Sequence, residues 1–360
     1  MKFGLVQVLR GVAAILVIIY HFLAHIEKNF HQTLYNHILK FGLVGVDFFF
    51  VLSGFIITYV HYKDLISKKG SKLFFKKRFI RIYPLYWLIA AMSVVIFIFF
   101  TPNRMKAEGL TMDLSSPYIL TSLLQSFLLI PQKGLYLVGV AWTLSYEVLF
   151  YLLFGLGIKL GYRFSKMALL TWFLLIVCNA LFIHSANFYI EFLLNPIIIE
   201  FMMGCLVAYA IIHRLKIADW LLYILLFLLI IASGYFLQFD GLRLERNVWY
   251  VLLLGTMFSI VTYTAVRTDI KYPKLRYPAI ALLLGDASYS IYLFHQTLYN
   301  ILLRGYQKIT TIIPLSLSVV LISMLVITLT LAISIAIHIY IEKKILRYLK
   351  GQTPRSTLSS

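Results

Sequence analysis

LRGVAAILVIIYHF, residues 9–22, sets an arginine and a histidine into an otherwise apolar run. The run extends over 4–26, and a helix needs about 20 apolar residues to cross a bilayer. Arg10 and His21 are eleven positions apart. At ~100° per residue this closes about 20° past three full turns, so both side chains share one face, about 16 Å apart along the axis. An arginine in a spanning helix costs about 2.5–3.5 kcal/mol on insertion scales. Arg10 alone can snorkel to the cytoplasmic surface, and a lone histidine can be a satisfied structural donor. The shared face favours a common polar cavity. The run holds Arg10 and lacks a small-residue cleavage site, so it reads as a retained helix and not a secretory signal.

The rest of the chain agrees with a membrane reading. Of its 360 residues 61% are hydrophobic and 13% charged, against about 25% charged in a soluble domain. The expected fold is all-α and polytopic, with about ten spans: 4–26, 43–62, 82–100, 140–160, 167–184, 192–213, 219–237, 247–266, 286–304 and 314–341. The apolar stretch 118–131 is too short to cross and reads as a re-entrant or interfacial helix. One membrane domain is expected over 1–345, followed by a basic and polar cytoplasmic tail over 346–360.

The net charge of +19 does not call for nucleic acid. Lys and Arg accumulate in cytoplasmic loops of membrane proteins. With both termini cytoplasmic, most of the basic residues fall on the cytoplasmic side, chiefly in the cluster 63–81, in 267–276 and in the tail. That bias also supports an even number of spans. Cys178 and Cys205 both lie in apolar runs and read as core residues. No metal-ligand spacing stands out, and no internal repeat of the kind common in transporters is visible.

Four further places carry costly residues. In GVDFFFVLSGF (45–55), Asp47 begins the second span, where an acid also suits a helix N-terminus. Ser53 and Gly54 there permit close helix packing. In KLFFKKRFIRIYPLYW (72–87), Arg78 and Arg81 are helix neighbours beside Lys77, and paired arginines bind phosphate bidentately. In AWTLSYEVLFYLLF (141–154), Glu147 follows Trp142 in the outer half of a span. It must be protonated or partnered by His or Arg, with a salt link to Arg10 as the structural alternative. In LLGDASYSIYLFHQ (283–296), Ser288 and His295 share a face, and Asp286 stands where it could cap the ninth span. His338 and Glu342 are adjacent on their helix.

These same residues resemble acyltransferase family 3, the integral-membrane acyltransferases, over about residues 3–345. Arg10 and His21 match the first-helix motif, GVDFFFVLSGF the second, and Arg78-x-x-Arg81 with IYPLYW the third. Trp142 to Glu147, Asn195-Pro with Glu200-Phe, and GDASYSIYLFH resemble the branch that O-acetylates exopolysaccharides. The resemblance implies an acetyl-coenzyme A donor, a glycan or lipid-linked glycan acceptor, essential His21 and Arg10, and a contribution to activity from the Arg78/Arg81 pair. Many relatives carry an added extracytoplasmic esterase-like domain. Here transfer is expected from the membrane domain alone or with a partner.

The expected enzyme sits in the cell membrane among lipids. Its coenzyme phosphates lie near Lys77, Arg78 and Arg81, and Arg10 lines the path. His21 serves as general base or acetyl carrier. Glu147 holds the His21 tautomer, and His295 is an alternative base. Asp47, Trp142, Ser288 and His295 belong to the polar interior. Two rival readings stand beside this one. The first is a flippase or transporter for a lipid-linked glycan, and the second is an acyltransferase for another group such as succinyl.

Overall fold

The structure is a computed structural model that describes residues 3–30, 41–100, 117–133, 136–239, 247–312 and 319–351. The described residues form helices and no strand. Eight helical stretches among them are long and apolar enough to cross a membrane. The protein is therefore an all-α, multi-pass membrane protein. Closed helices suit such a chain because lipid offers no partner for backbone N–H and C=O groups.

Two compact units divide the chain, Met1–Ser71 with Trp142–Asp286, and Lys72–Ala141 with Ala287–Ser360. The first unit contains α1 (Gly4–Phe30) and α2 (Val44–Ser67). Beyond α3 (Ser71–Phe100) and α4 (Pro117–Leu128), it resumes with α5 (Ala141–Leu160) and α6 (Tyr162–Cys178). Then come α7 (Phe188–Leu193), α8 (Ile198–Ile212), α9 (Asp219–Phe239), α10 (Val248–Lys271) and α11 (Ala279–Asp286). The second unit holds α3, α4, α12 (Ser288–Ile312), α13 (Val319–Ile337) and α14 (Lys343–Leu349), with a π-helical turn, His338–Glu342, joining the last two.

In the first unit α1 packs on α2, α10 and α11, and α2 packs on α8 and α10. The buried centre draws Val6, Phe48, Leu52, Phe55, Val207, Ala208, Ile260 and Tyr263 from these helices. Lipid tails are as apolar as leucine, so close backbone approach replaces hydrophobic drive. Gly54 and Gly204 provide it reciprocally for α2 and α8. A Cβ on Gly54 would lie 2.0 Å from the Phe201 carbonyl oxygen, and one on Gly204 would lie 2.0 Å from that of Val51. The close packing expected at Ser53-Gly54 is thus present. Gly285 plays the same part between α11 and α1, where a Cβ would meet the Gln7 carbonyl oxygen at 2.0 Å.

The amino end of α1 is tied down by Asp269 of α10. Its carboxylate oxygens accept from the Leu5 N–H at 3.2 and 3.0 Å, and the Tyr277 hydroxyl donates to it at 2.7 Å. An orphan N–H of the first turn is thereby satisfied.

In the second unit the aromatics of IYPLYW serve a defined purpose. The Tyr83 hydroxyl donates to Leu128 O, Tyr86 to Ser126 O and Trp87 Nε1 to Phe127 O, at 3.1, 2.6 and 2.9 Å. They add partners to the last carbonyls of α4, of which Ser126 O also accepts from the Leu129 N–H at 3.2 Å. α4 is the short helix expected at 118–131. At 12 residues it spans about 18 Å, well short of a ~30 Å hydrocarbon core.

Three boundaries differ from the sequence reading. The expected span 286–304 begins later, since Asp286 ends α11 and α12 starts at Ser288. α12 takes the place of an expected span but is not among the eight stretches that qualify. In α12 the polar His295, Gln296, Asn300, Arg304 and Lys308 lower the hydropathy. The last helix runs to Leu349, past the boundary expected at 345, while 352–360 of the expected tail lie outside the described residues.

Candidate active site

In the first unit the site is built on α1. His21 is half-buried, and its Nδ1 lies 2.9 Å from the Val17 carbonyl oxygen one turn earlier. A backbone carbonyl can only accept, so Nδ1 carries the hydrogen and Nε2 carries the basic lone pair of the neutral ring. The Tyr20 ring stands edge-on to it, with centroids 5.0 Å apart. Arg10 is half-buried and donates from Nη1 to Gln7 Oε1 at 3.0 Å. Gln7 is the residue whose backbone abuts Gly285, so the close approach of α11 fixes the turn of α1 that steers Arg10.

Asp47 is fully buried in the first turn of α2. The N-cap position is Leu43, which makes no side-chain cap, so Asp47 is not the capping residue. Glu147 on α5 accepts from Ser53 Oγ at 3.3 Å and from the Tyr151 hydroxyl. Among the described residues these hydroxyls, and not an arginine or histidine, are its partners. The expected holding of the His21 tautomer by Glu147 is therefore corrected, because the Val17 carbonyl takes that role from within α1. The expected alternative, a salt link from Glu147 to Arg10, is likewise replaced by Gln7 on one side and the two hydroxyls on the other. Trp142, half-buried, stands edge-on to Tyr146, whose ring stacks on Phe192 at 4.2 Å. Glu200 on α8 is also fully buried. The sequence reading met it only within a motif, yet an acid in the apolar run 197–212 was the signal.

In the second unit Ser288 opens α12 and His295 lies two turns on, and both are buried. His295 Nδ1 lies 2.6 Å from Tyr292 O. Lys77 is exposed, while Arg78 is half-buried with its guanidinium 5.5 Å from the Phe74 ring centre. Arg81 donates from Nη1 to Glu342 Oε1 at 3.0 Å, a partner the sequence reading did not assign. The signal available was another acid in an apolar stretch. Among the described residues no group of three or more His, Cys, Asp or Glu is placed to hold a metal ion.

A multi-pass helical membrane protein with ionisable side chains set into its spanning helices is the class that this fold and these groups define. Residues 5–339 match the family described as "Acyltransferase domain", and the chain belongs to that family, acyltransferase family 3. It is an acyltransferase. The chain is 28% identical over 268 residues to the exopolysaccharide production protein ExoZ of Rhizobium meliloti, covering 72% of this chain and 77% of that protein. To the O-acetyltransferase OatA of Staphylococcus aureus it is 25% identical over 316 residues, covering 80% of this chain and 49% of OatA. The chain thus spans about half the length of that relative. A 100-residue stretch is 34% identical to the peptidoglycan O-acetyltransferase OatA of Listeria monocytogenes, 27% of this chain and 14% of that one. No solved structure matches.

Proposed function

We propose that this chain moves an acetyl group from cytoplasmic acetyl-coenzyme A to a hydroxyl of a cell-surface or exopolysaccharide glycan, or of its lipid-linked precursor. The carrying observation is His21, an imidazole inside the first membrane helix whose Nδ1 is committed to Val17 O. Its Nε2 is then the ring's base, and imidazole is the side chain most often used as a general base. The relatives support the acceptor class. One is named for exopolysaccharide production and two as O-acetyltransferases, and a sugar hydroxyl is common to both kinds of glycan.

In this reading His21 Nε2 takes the proton of the sugar hydroxyl as its oxygen attacks the thioester carbonyl carbon. The C–O bond forms, the C–S bond breaks, and the coenzyme thiolate leaves and takes up the proton. Arg10, on the same helix, balances negative charge along the donor's path. Lys77, Arg78 and Arg81 receive the donor's phosphates at the cytoplasmic side, a reading that the bias of basic residues toward cytoplasmic loops supports. Asp47, Glu147 and Trp142 contribute polar groups within the first unit, and Ser288 and His295 within the second. The protein works in the cell membrane.

The test is transfer of labelled acetyl from acetyl-coenzyme A to glycan by the purified protein in lipid nanodiscs. Removing a general base costs about 10²–10⁴-fold, so His21→Ala should bring transfer to near background while the protein stays monodisperse. Wild-type turnover in that variant overturns the mechanism. A protein that carries a lipid-linked glycan across liposomes and ignores acetyl-coenzyme A is instead a flippase, and preference for succinyl-coenzyme A would change the acyl group alone.

A further inference from the structure

Glu342 is a buried acid that accepts from three side chains. Its side chain is 3% exposed. Arg81 Nη1 donates to Oε1 at 3.0 Å, and Ser290 Oγ and His338 Nδ1 donate to Oε2 at 2.8 and 2.7 Å. These donors come from α3, α12 and the π-helical turn that contains Glu342 itself. Both carboxylate oxygens are thus engaged, which a buried carboxylate requires. The turn matters, because π-helical turns are rare and recur at functional sites.

The network ends on Arg81, which differs from its partners in being 34% exposed. Its guanidinium is gripped from two directions. Glu342 holds Nη1, and the Tyr289 ring lies 5.2 Å from the guanidinium carbon. Tyr289 is in turn fixed by donating its hydroxyl to Ile82 O at 2.8 Å. A guanidinium has five N–H donors. Among the described residues Glu342 is Arg81's one hydrogen-bond partner, so donors of the fork remain for an anion while Glu342 and Tyr289 hold the group in place. A flexible arginine loses rotamer entropy on binding an anion, and one held beforehand does not.

We propose that Glu342, together with Ser290 and His338, is a positioning residue that presents Arg81 to an anionic group of the acyl donor. The proposal rests on the reading of coenzyme A as donor. It assigns no chemistry to Glu342, which acts through Arg81 alone. A purely structural ion pair would instead affect folding and every kinetic step alike.

The experiment titrates coenzyme A against full-length protein in nanodiscs by calorimetry and measures acetyl transfer in parallel. Glu342→Gln keeps the shape and removes the charge. It should weaken coenzyme A binding about tenfold and raise KM to match, with kcat within about twofold. Arg81→Ala should weaken binding at least as much. Combining the two should add nothing to Arg81→Ala, because a residue acting through another has no effect once that other is gone. Additive losses, or a fall in kcat with unchanged binding, overturn the proposal. If Glu342→Gln does not fold, Ser290→Ala replaces it in the same cycle, with an expected loss of about threefold and the same two refuting outcomes. A wild-type protein that neither binds coenzyme A nor transfers acetyl removes the functional reading itself. A wild-type protein that does both, with an additive cycle, removes only the role of Glu342.

Discussion

Replacing Gly285 by alanine perturbs the site without touching any ionisable group. The new Cβ would lie 2.0 Å from Gln7 O, where ordinary contact begins at 3.4 Å, so α1 and α11 must part by about 1.4 Å. Both atoms that collide belong to or adjoin helix backbone, and no flexible side chain can yield. Overpacking of this kind costs about 1–3 kcal/mol, which lowers Tm by several degrees at roughly 2–4 °C per kcal/mol for a unit of ~200 residues. The displacement acts at Gln7, whose amide holds Arg10 at 3.0 Å. A 1 Å misplacement can cost about 100-fold in rate. The expectation is a modest fall in Tm with a loss of transfer of about 10–100-fold. Tryptophan-fluorescence melting in detergent and the acetyl-transfer assay read the two. A variant with wild-type Tm and activity within about twofold would refute the idea that close packing of α1 sets the site.

Other expectations follow from single contacts. Asp269→Ala removes the acceptor for Leu5 N–H and the Tyr277 hydroxyl, so amide exchange over the first turn of α1 should accelerate, for a cost of about 1–3 kcal/mol. The Tyr277 hydroxyl is pushed up from 10.0 to about 12, first by partial burial and then by its bond to Asp269 and that carboxylate's charge. Its contribution to stability is complete below pH 10 and is lost as pH rises through about 12. An alkaline weakening in that window should disappear in Tyr277→Phe. Glu147→Gln should lower transfer less than tenfold, because Val17 O and not Glu147 orients His21; losses as large as those of His21→Ala would restore the paired reading. Tyr86→Phe removes one of the two donors to Ser126 O, the Leu129 N–H remaining, and should destabilise the second unit by about 0.5–1.5 kcal/mol, read by melting.

Sequence alone determined the class of fold, because hydropathy over about 20 residues is a local property that lipid enforces. It also placed Arg10 and His21 on one helix, and 118–131 as a short helix, since rise and length follow from residue count. The glycines at 54 and 285 were visible as letters, yet which carbonyl each one meets was not. Tertiary structure decided the partners of the charged groups. Arg81 finds Glu342 across 261 residues of chain, and Glu147 finds Ser53 across 94. Whether an acid in an apolar run meets an arginine, a hydroxyl or a histidine depends on helix rotation and crossing, and no period in one segment encodes that. His21 marks the division. Its place in the membrane could be read from its neighbours in sequence, but the hydrogen on Nδ1 was assigned only when the Val17 carbonyl was seen to face it.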